Sequence, residues 1–331
     1  DAAVRRRAFA ALAALPLVAL AGRAGAWDDF AHMEVAAVAW AKLTPEARTR
    51  AAALLEHNPS YANWIVGAKA ADRARVAFLR AATWADAIRN DSHFDDDSQD
   101  SPTAGQNIGY GDLFRHKYWH FVDQPFSPDN TPSVPAPAPN LATQIAAFRA
   151  ALASHDLSDD VKSYDLSWLL HLVGDAHQPL HCVSRYDQAD PKGDRGGNTV
   201  RITGNESPVP CDDPRFCPYG PPANLHAFYD DVTGSSYSSA AASSAAAKLP
   251  EASESKAALL DEKVWIQEGL ELAQRNVYVK PIGIGRGPFA ITKDYQRKAL
   301  QLGRRRVALA GARLANLLND CFAKEAAEPE P

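Results

Sequence analysis

In the segment Leu169-Leu170-His171-Leu172-Val173-Gly174-Asp175-Ala176-His177-Gln178-Pro179-Leu180-His181, an imidazole and a carboxylate stand four residues apart. On a helix that spacing puts His171 and Asp175 on one face. Leu166, Leu169, Leu170 and Val173 form a separate apolar stripe on the same helix, so the polar pair belongs to a buried element. A buried carboxylate needs a compensating partner, and a metal ion is the economical one. His181 follows Pro179, where a helix cannot continue regularly, so its ring can face the same volume from another side. The four-residue spacing returns at His226 and Asp230 in Asn224-Leu225-His226-Ala227-Phe228-Tyr229-Asp230. His32, His120 in Tyr118-Trp119-His120-Phe121-Val122-Asp123, and Asp86 in Thr83-Trp84-Ala85-Asp86 bring the set to five histidines and three carboxylates. Histidine and carboxylate without cysteine suit catalytic zinc, which keeps an open position for water, and eight ligands exceed the needs of one ion.

Helices must position these groups. Apolar residues recur at helical spacing over residues 30–42, 45–57, 69–89, 141–154, 161–178, 255–277 and 291–322. Thr44-Pro45-Glu46 is a helix start, with a capping hydroxyl and a proline at the first helical position. Strand signals are few; the best, Asn198-Thr199-Val200-Arg201-Ile202, predicts a small hairpin. The fold class is therefore all-α, with long loops at 90–113, 124–140 and 186–223 of the kind that carry function. The Ala/Ser stretch from Ser235 to Lys248 reads equally as helix or solvated linker. With no repeat and no shift in composition, residues 27–331 are expected to form a single domain.

The chain has 331 residues, a net charge of −5, 46% hydrophobic residues and 23% charged ones, which excludes a disordered, collagen-like or polycationic protein. Residues 1–26 read as a secretory signal: Arg5, Arg6 and Arg7 precede the apolar run Ala8 to Ala21, and Ala24-Gly25-Ala26 offers a cleavage site before Trp27. Arg6-Arg7-Ala8-Phe9 faintly suggests the twin-arginine route. The expected location is periplasmic or secreted. Cleavage leaves 31 cations against 39 anions, a net −8, so a phosphate substrate needs local cations rather than bulk charge. Cys182, Cys211, Cys217 and Cys321 allow up to two disulfides in an exported protein. Cys211 and Cys217 are close enough to pair locally, and all three connectivities stay open.

Taken in order, Trp27 with His32, Trp84-Ala85-Asp86, His120-Phe121-Val122-Asp123, the string from His171 to His181, and Asn224-Leu225-His226-x-x-x-Asp230 resemble the zinc-dependent single-strand nucleases and 3′-nucleotidases of fungi, plants and bacteria, the class I nucleases. The final helix, with Ala310-Gly311-Ala312-Arg313-Leu314-Ala315, is similar to the family's last helix. Asp28 and Ala31 depart from it, standing where glycines are often found.

The resemblance implies a phospholipase C/single-strand nuclease-like helical fold around three zinc ions. One ion would be held by Asp86, His120, His171 and Asp175, and a second by His181, His226 and Asp230. The third would take His32, Asp175 and the α-amine and carbonyl oxygen of Trp27, so that processing creates a ligand. Zinc ions sharing Asp175 can hold a water as hydroxide near neutral pH to attack phosphorus. Asp86, Arg89 and Asp175 are then the catalytic set, with Arg89 near the phosphate. Phe121 would stack on an unpaired base and Asp123 accept from its edge.

The implied substrates are single-stranded DNA and RNA, cut to 5′-nucleotides, and 3′-nucleotides. No stable membrane association and no protein partner is expected. The alternatives are a zinc-dependent phospholipase C and a non-catalytic periplasmic zinc-binding protein. His177 is expected to act by hydrogen bonding behind the ligands. His57, His93, His116 and His155 read as surface or loop histidines, and Arg304-Arg305-Arg306 as the wet face of the last helix.

Overall fold

A computed structural model describes residues 27–204 and 222–327; the expected signal, residues 1–26, and the pair Cys211 and Cys217 lie outside them. The described residues form twelve α-helices: α1 (Asp29–Lys42), α2 (Pro45–Leu55), α3 (Tyr61–Trp64), α4 (Arg73–Ala81), α5 (Trp84–Ala87), α6 (Leu141–Leu152), α7 (Asp159–Asp175), α8 (Leu225–Asp230), α9 (Ser239–Ala246), α10 (Glu254–Ala257), α11 (Glu262–Leu272) and α12 (Lys293–Ala326). The fold is mainly α, as expected. Side-chain caps set many of the starts. Thr44 Oγ1 accepts from Ala47 N ahead of Pro45, and Ser158 Oγ accepts from Val161 N ahead of Asp159 and Asp160. Asn140 closes a capping box with Thr143.

Helix α7 is the centre of the molecule. Every residue from Lys162 to Asp175 is buried. Helix α6 packs on one side of it, α1, α2, α4 and α12 on others. Trp168 sits amid Trp84, Trp119 and Tyr164, with edge-on ring centroids 4.9–6.3 Å apart. Helix α1 crosses α12 at Gly311, where a Cβ would lie 2.4 Å from Val38 Cβ and 2.7 Å from the Val35 carbonyl. Only glycine permits that approach.

The stretches 69–89 and 255–277 are broken rather than continuous. In the first, His171 Nδ1 donates to the Ala82 carbonyl at 2.8 Å, taking the acceptor that would have continued α4. The chain turns there and restarts as α5. In the second, α10 and α11 are separated where Leu259 O accepts from Trp265 Nε1 and Leu260 O from Arg149 Nη1. The Ala/Ser stretch contains helix α9.

Of the expected hairpin at 198–202, the described residues show one antiparallel bridge, Arg201 to Asn224. Strand β3 (Ile202–Thr203) pairs in parallel with β4 (Phe289–Ala290), and β1 (Pro125–Phe126) with β2 (Ser184–Arg185). These short ladders stitch loops distant in sequence. Cys182 and Cys321 are free, buried thiols, so neither contributes to the two disulfides allowed above. Arg306 is likewise no wet residue: it is buried, and its Nε donates to the His177 carbonyl at 3.0 Å. None of the described helices is long and apolar enough to cross a membrane.

Candidate metal centre

The last turn of α7 supplies His171 and Asp175 on one face, both fully buried. Asp175 Oδ2 lies 3.2 Å from His171 Nε2 and 3.1 Å from His120 Nδ1, and those two nitrogens are themselves 3.1 Å apart. Asp86 Oδ1, from α5, is 3.8 Å from both nitrogens. Four donors about 2.0–2.1 Å from one zinc would be separated by about 3.3 Å along a tetrahedron's edges. Asp86, His120 and His171 form one group close enough to hold an ion, with Asp175 Oδ2 against its two imidazoles. Burial works against ionising the two aspartates, but His171, Arg89 and His120 hold Asp86 at about 2, and His171 and His181 hold Asp175 well below the usual carboxylate range. Burial pushes His120 down to about 4, so at neutral pH its ring offers a lone pair.

The other oxygen of Asp175 faces elsewhere. Oδ1 lies 3.4 Å from His32 Nε2, carried by α1, whose ring stacks on His171 with centroids 3.7 Å apart. Gly174 makes room for that ring, since a Cβ there would come within 2.7 Å of His32 Nδ1. Asp175 therefore joins two donor groups through separate oxygens. The third group gathers at the turn after α7 and in α8: His181 Nε2 is 3.5 Å from Asp230 Oδ1, and His226 Nε2 is 3.5 Å from Asp230 Oδ2. The three groups His32/His171/Asp175, Asp86/His120/His171 and His181/His226/Asp230 can each hold a metal ion.

Backbone carbonyls aim the rings. His171 Nδ1 donates to Ala82 O, His181 Nδ1 to His120 O at 2.7 Å and His226 Nδ1 to Gly196 O at 2.8 Å. Because a carbonyl only accepts, each Nδ1 carries a proton and each Nε2 is the atom turned into the donor group, where a bound metal ion would displace any proton on it. Several inward atoms, His32 Nε2, His181 Nε2, Asp175 Oδ1 and Asp230 Oδ2, are buried with no hydrogen-bond partner. Such atoms are costly unless something binds them, and a cation satisfies them all.

Of the remaining expected residues, Arg89 donates through Nη1 to Asp86 Oδ1 at 3.1 Å, one turn away. Phe121 and Asp123 extend from the turn that ends in His120, both half-buried. Burial, then the nearby Asp194, pushes the Asp123 carboxyl up to about 6 against the opposing charges of Arg195 and His181. Trp27 is buried, and the next amide, Asp28 N, donates to the Asp230 carbonyl at 3.1 Å, docking this segment beside the third group. Asp28 also caps α1 through Asp29 N. His177 stands behind the cluster: Nδ1 donates to Val173 O and Nε2 accepts from Arg313 Nη1 at 3.0 Å.

His116 is not a surface histidine; it is fully buried between Asp97 and Asp112, at 2.7 and 2.9 Å, and stacked on Trp119 at 3.6 Å. Asp97 arrives from a separate loop, which spacing does not show. Gln178 was given no role by the motif, yet its Nε2 donates to Asp230 Oδ1 at 2.8 Å while its Oε1 accepts from Leu180 N. It fixes the carboxylate of the third group.

A helical fold whose centre gathers three histidine and aspartate groups able to hold metal, two of them sharing His171, has the make-up of a metal-dependent hydrolase. The comparison with family models then names the family. The chain belongs to the S1/P1 nuclease family, whose model matches residues 27–323. No curated protein matches the chain. Membership makes it a nuclease-type phosphodiesterase acting on nucleic acid, in agreement with the resemblance carried by the motifs.

Proposed function

We propose that the protein is a secreted, trinuclear-zinc phosphodiesterase that hydrolyses single-stranded DNA and RNA to 5′-nucleotides and also takes 3′-nucleotides. The observation that carries this reading is the division of Asp175, with Oδ2 facing His120 and His171 and Oδ1 facing His32. One ion is assigned to Asp86, His120, His171 and Asp175, a second to His181, His226 and Asp230. The third is assigned to His32, Asp175 and the amine and carbonyl of Trp27 once residues 1–26 are removed; the family match begins at that residue. The functional domain is then 27–331.

Bound zinc supplies Lewis acidity at the phosphoryl oxygens and lowers the pKa of water near neutral pH. The chain's own groups do the rest. Asp86 holds Arg89 by one N–H, which leaves the other guanidinium donors for a non-bridging phosphate oxygen. Phe121 offers a ring face that any unpaired base can stack on, so single strands are favoured without sequence readout. Asp123 accepts from the edge of the stacked base.

The test is hydrolysis of single-stranded DNA by the processed protein, before and after chelation and after zinc is restored, with phosphatidylcholine as a parallel substrate. Zinc-dependent release of 5′-nucleotides with the lipid untouched is expected. Cleavage of the lipid alone, or of neither substrate, would overturn the reading.

A further inference from the structure

We propose that Arg195 grips the phosphodiester flanking the one being cut, so that a polynucleotide is favoured over a minimal substrate. The proposal rests on the nuclease reading above. Arg195 has φ +53°, in the left-handed region that arginine rarely occupies. The surrounding structure imposes that conformation. Asp194, fully buried, accepts through Oδ1 from Arg185 N at 2.9 Å and Gly197 N at 3.1 Å, and through Oδ2 from Tyr278 Oη at 2.8 Å. Arg195 N donates to Ser184 Oγ at 3.1 Å, and Asn198 Nδ2 donates to the Arg195 carbonyl at 2.8 Å. The loop is thus pinned on both sides of Arg195.

Its position is what matters for substrate. The next residue, Gly196, gives its carbonyl to His226 Nδ1, so Arg195 sits one residue from the third donor group. Its charge is also felt at Asp123, the proposed base-edge acceptor, which it draws down. Neighbouring arginines are committed: Arg185 to Asp187 and Asp194, Arg286 to Asp190. Arg195 is exposed and makes no ion pair with any described residue. A cation whose backbone is fixed beside the third donor group while its guanidinium stays exposed, in a chain of net charge −5, is suited to an anion that arrives with the substrate. Arg89 serves the phosphate at the metal centre. The flanking phosphate is the remaining anion of a single strand on the Asp123 and His226 side.

The test compares wild type with Arg195→Gly and Arg195→Lys on a single-stranded DNA oligonucleotide and on a dinucleoside monophosphate, which lacks a flanking phosphate. Glycine suits φ +53°, so the first variant relieves the loop and any loss is not misfolding. For Arg195→Gly the ratio of kcat/KM, oligonucleotide over dinucleoside, is expected to fall about tenfold, the worth of one charge-assisted contact. The slope of log KM against log salt should flatten by about 0.7, one phosphate contact on a single strand. Arg195→Lys should restore most of both. Equal losses on the two substrates would make Arg195 a structural residue of the loop, and an unchanged ratio and slope would make it a solvated cation; either overturns the proposal. Wild type that cleaves neither substrate would instead remove the nuclease reading itself.

Discussion

Asp165 lies on α7 two turns before His171, fully buried, with Asn107 Nδ2 donating to Oδ2 at 3.0 Å and Oδ1 unpartnered. Burial pushes its carboxyl up to about 8. Since that lies above the ordinary carboxylate value, the folded chain holds a proton here that the unfolded chain gives up. The stability this group contributes is complete at about pH 4 and is lost as pH rises towards 8. Asp165→Asn keeps the acceptor for Asn107 and removes the titration. The variant should match wild type in Tm near pH 4 and exceed it by several degrees near pH 8, measured by thermal denaturation; a constant difference across the range would contradict the assignment. Two pairs in the candidate metal centre were legible for a different reason: four-residue spacing fixes a shared helix face whatever the tertiary context, and it placed His171 beside Asp175 and His226 beside Asp230. Gln178 and His116 were not legible, because their partners, Asp230 and Asp97, come from other segments.

Helices with strong caps were read nearly to their ends: α1, α2, α6, α7 and α12 all fall where periodicity placed them. Those that were misread break for reasons outside the local chain, as at Ala82, whose carbonyl is taken by His171. That break is productive, because it turns α5 and carries Asp86 toward His120. The α1–α12 crossing gives a prediction of its own. Gly311→Ala would place a methyl against Val38 and the Val35 carbonyl, forcing apart two helices of which one carries His32. Overpacking of this kind costs about 1–3 kcal/mol, and Tm should fall by about 5 °C. A variant with unchanged Tm would mean that the crossing has slack the packing does not suggest.

Across the whole molecule, the three donor groups draw on α1, α5, the turn Lys117–His120, α7, the turn Pro179–Cys182 and α8. Ions held there would cross-link segments separated by most of the chain. Each site at a hundred times its Kd adds about 2.7 kcal/mol to stability. Chelation is therefore expected to lower Tm by at least about 10 °C, with recovery on adding zinc, as followed by calorimetry. Loss of activity without any change in Tm would place the ions at the surface of the fold instead of at its centre. A second buried network ties the far end of the cluster: Glu268 receives Arg313 at 2.7 and 2.8 Å and Arg306 at 2.9 Å, and both arginines reach His177. Composition and periodicity pointed to a single helical domain, but not to this network, in which Arg306 reads as solvated until α12 is seen packed.

The packing of α1 on α12 joins the beginning of the described chain to its end. During synthesis, residues 29–42 emerge well before the helix they lean on, residues 293–326. Much of the packing that seats α1, and with it His32 against His171, is therefore supplied by a helix distant in sequence. Contacts of such long range also form late in folding. A chain truncated before α12 thus keeps the histidines and aspartates but loses the main surface against which the His32 helix is packed.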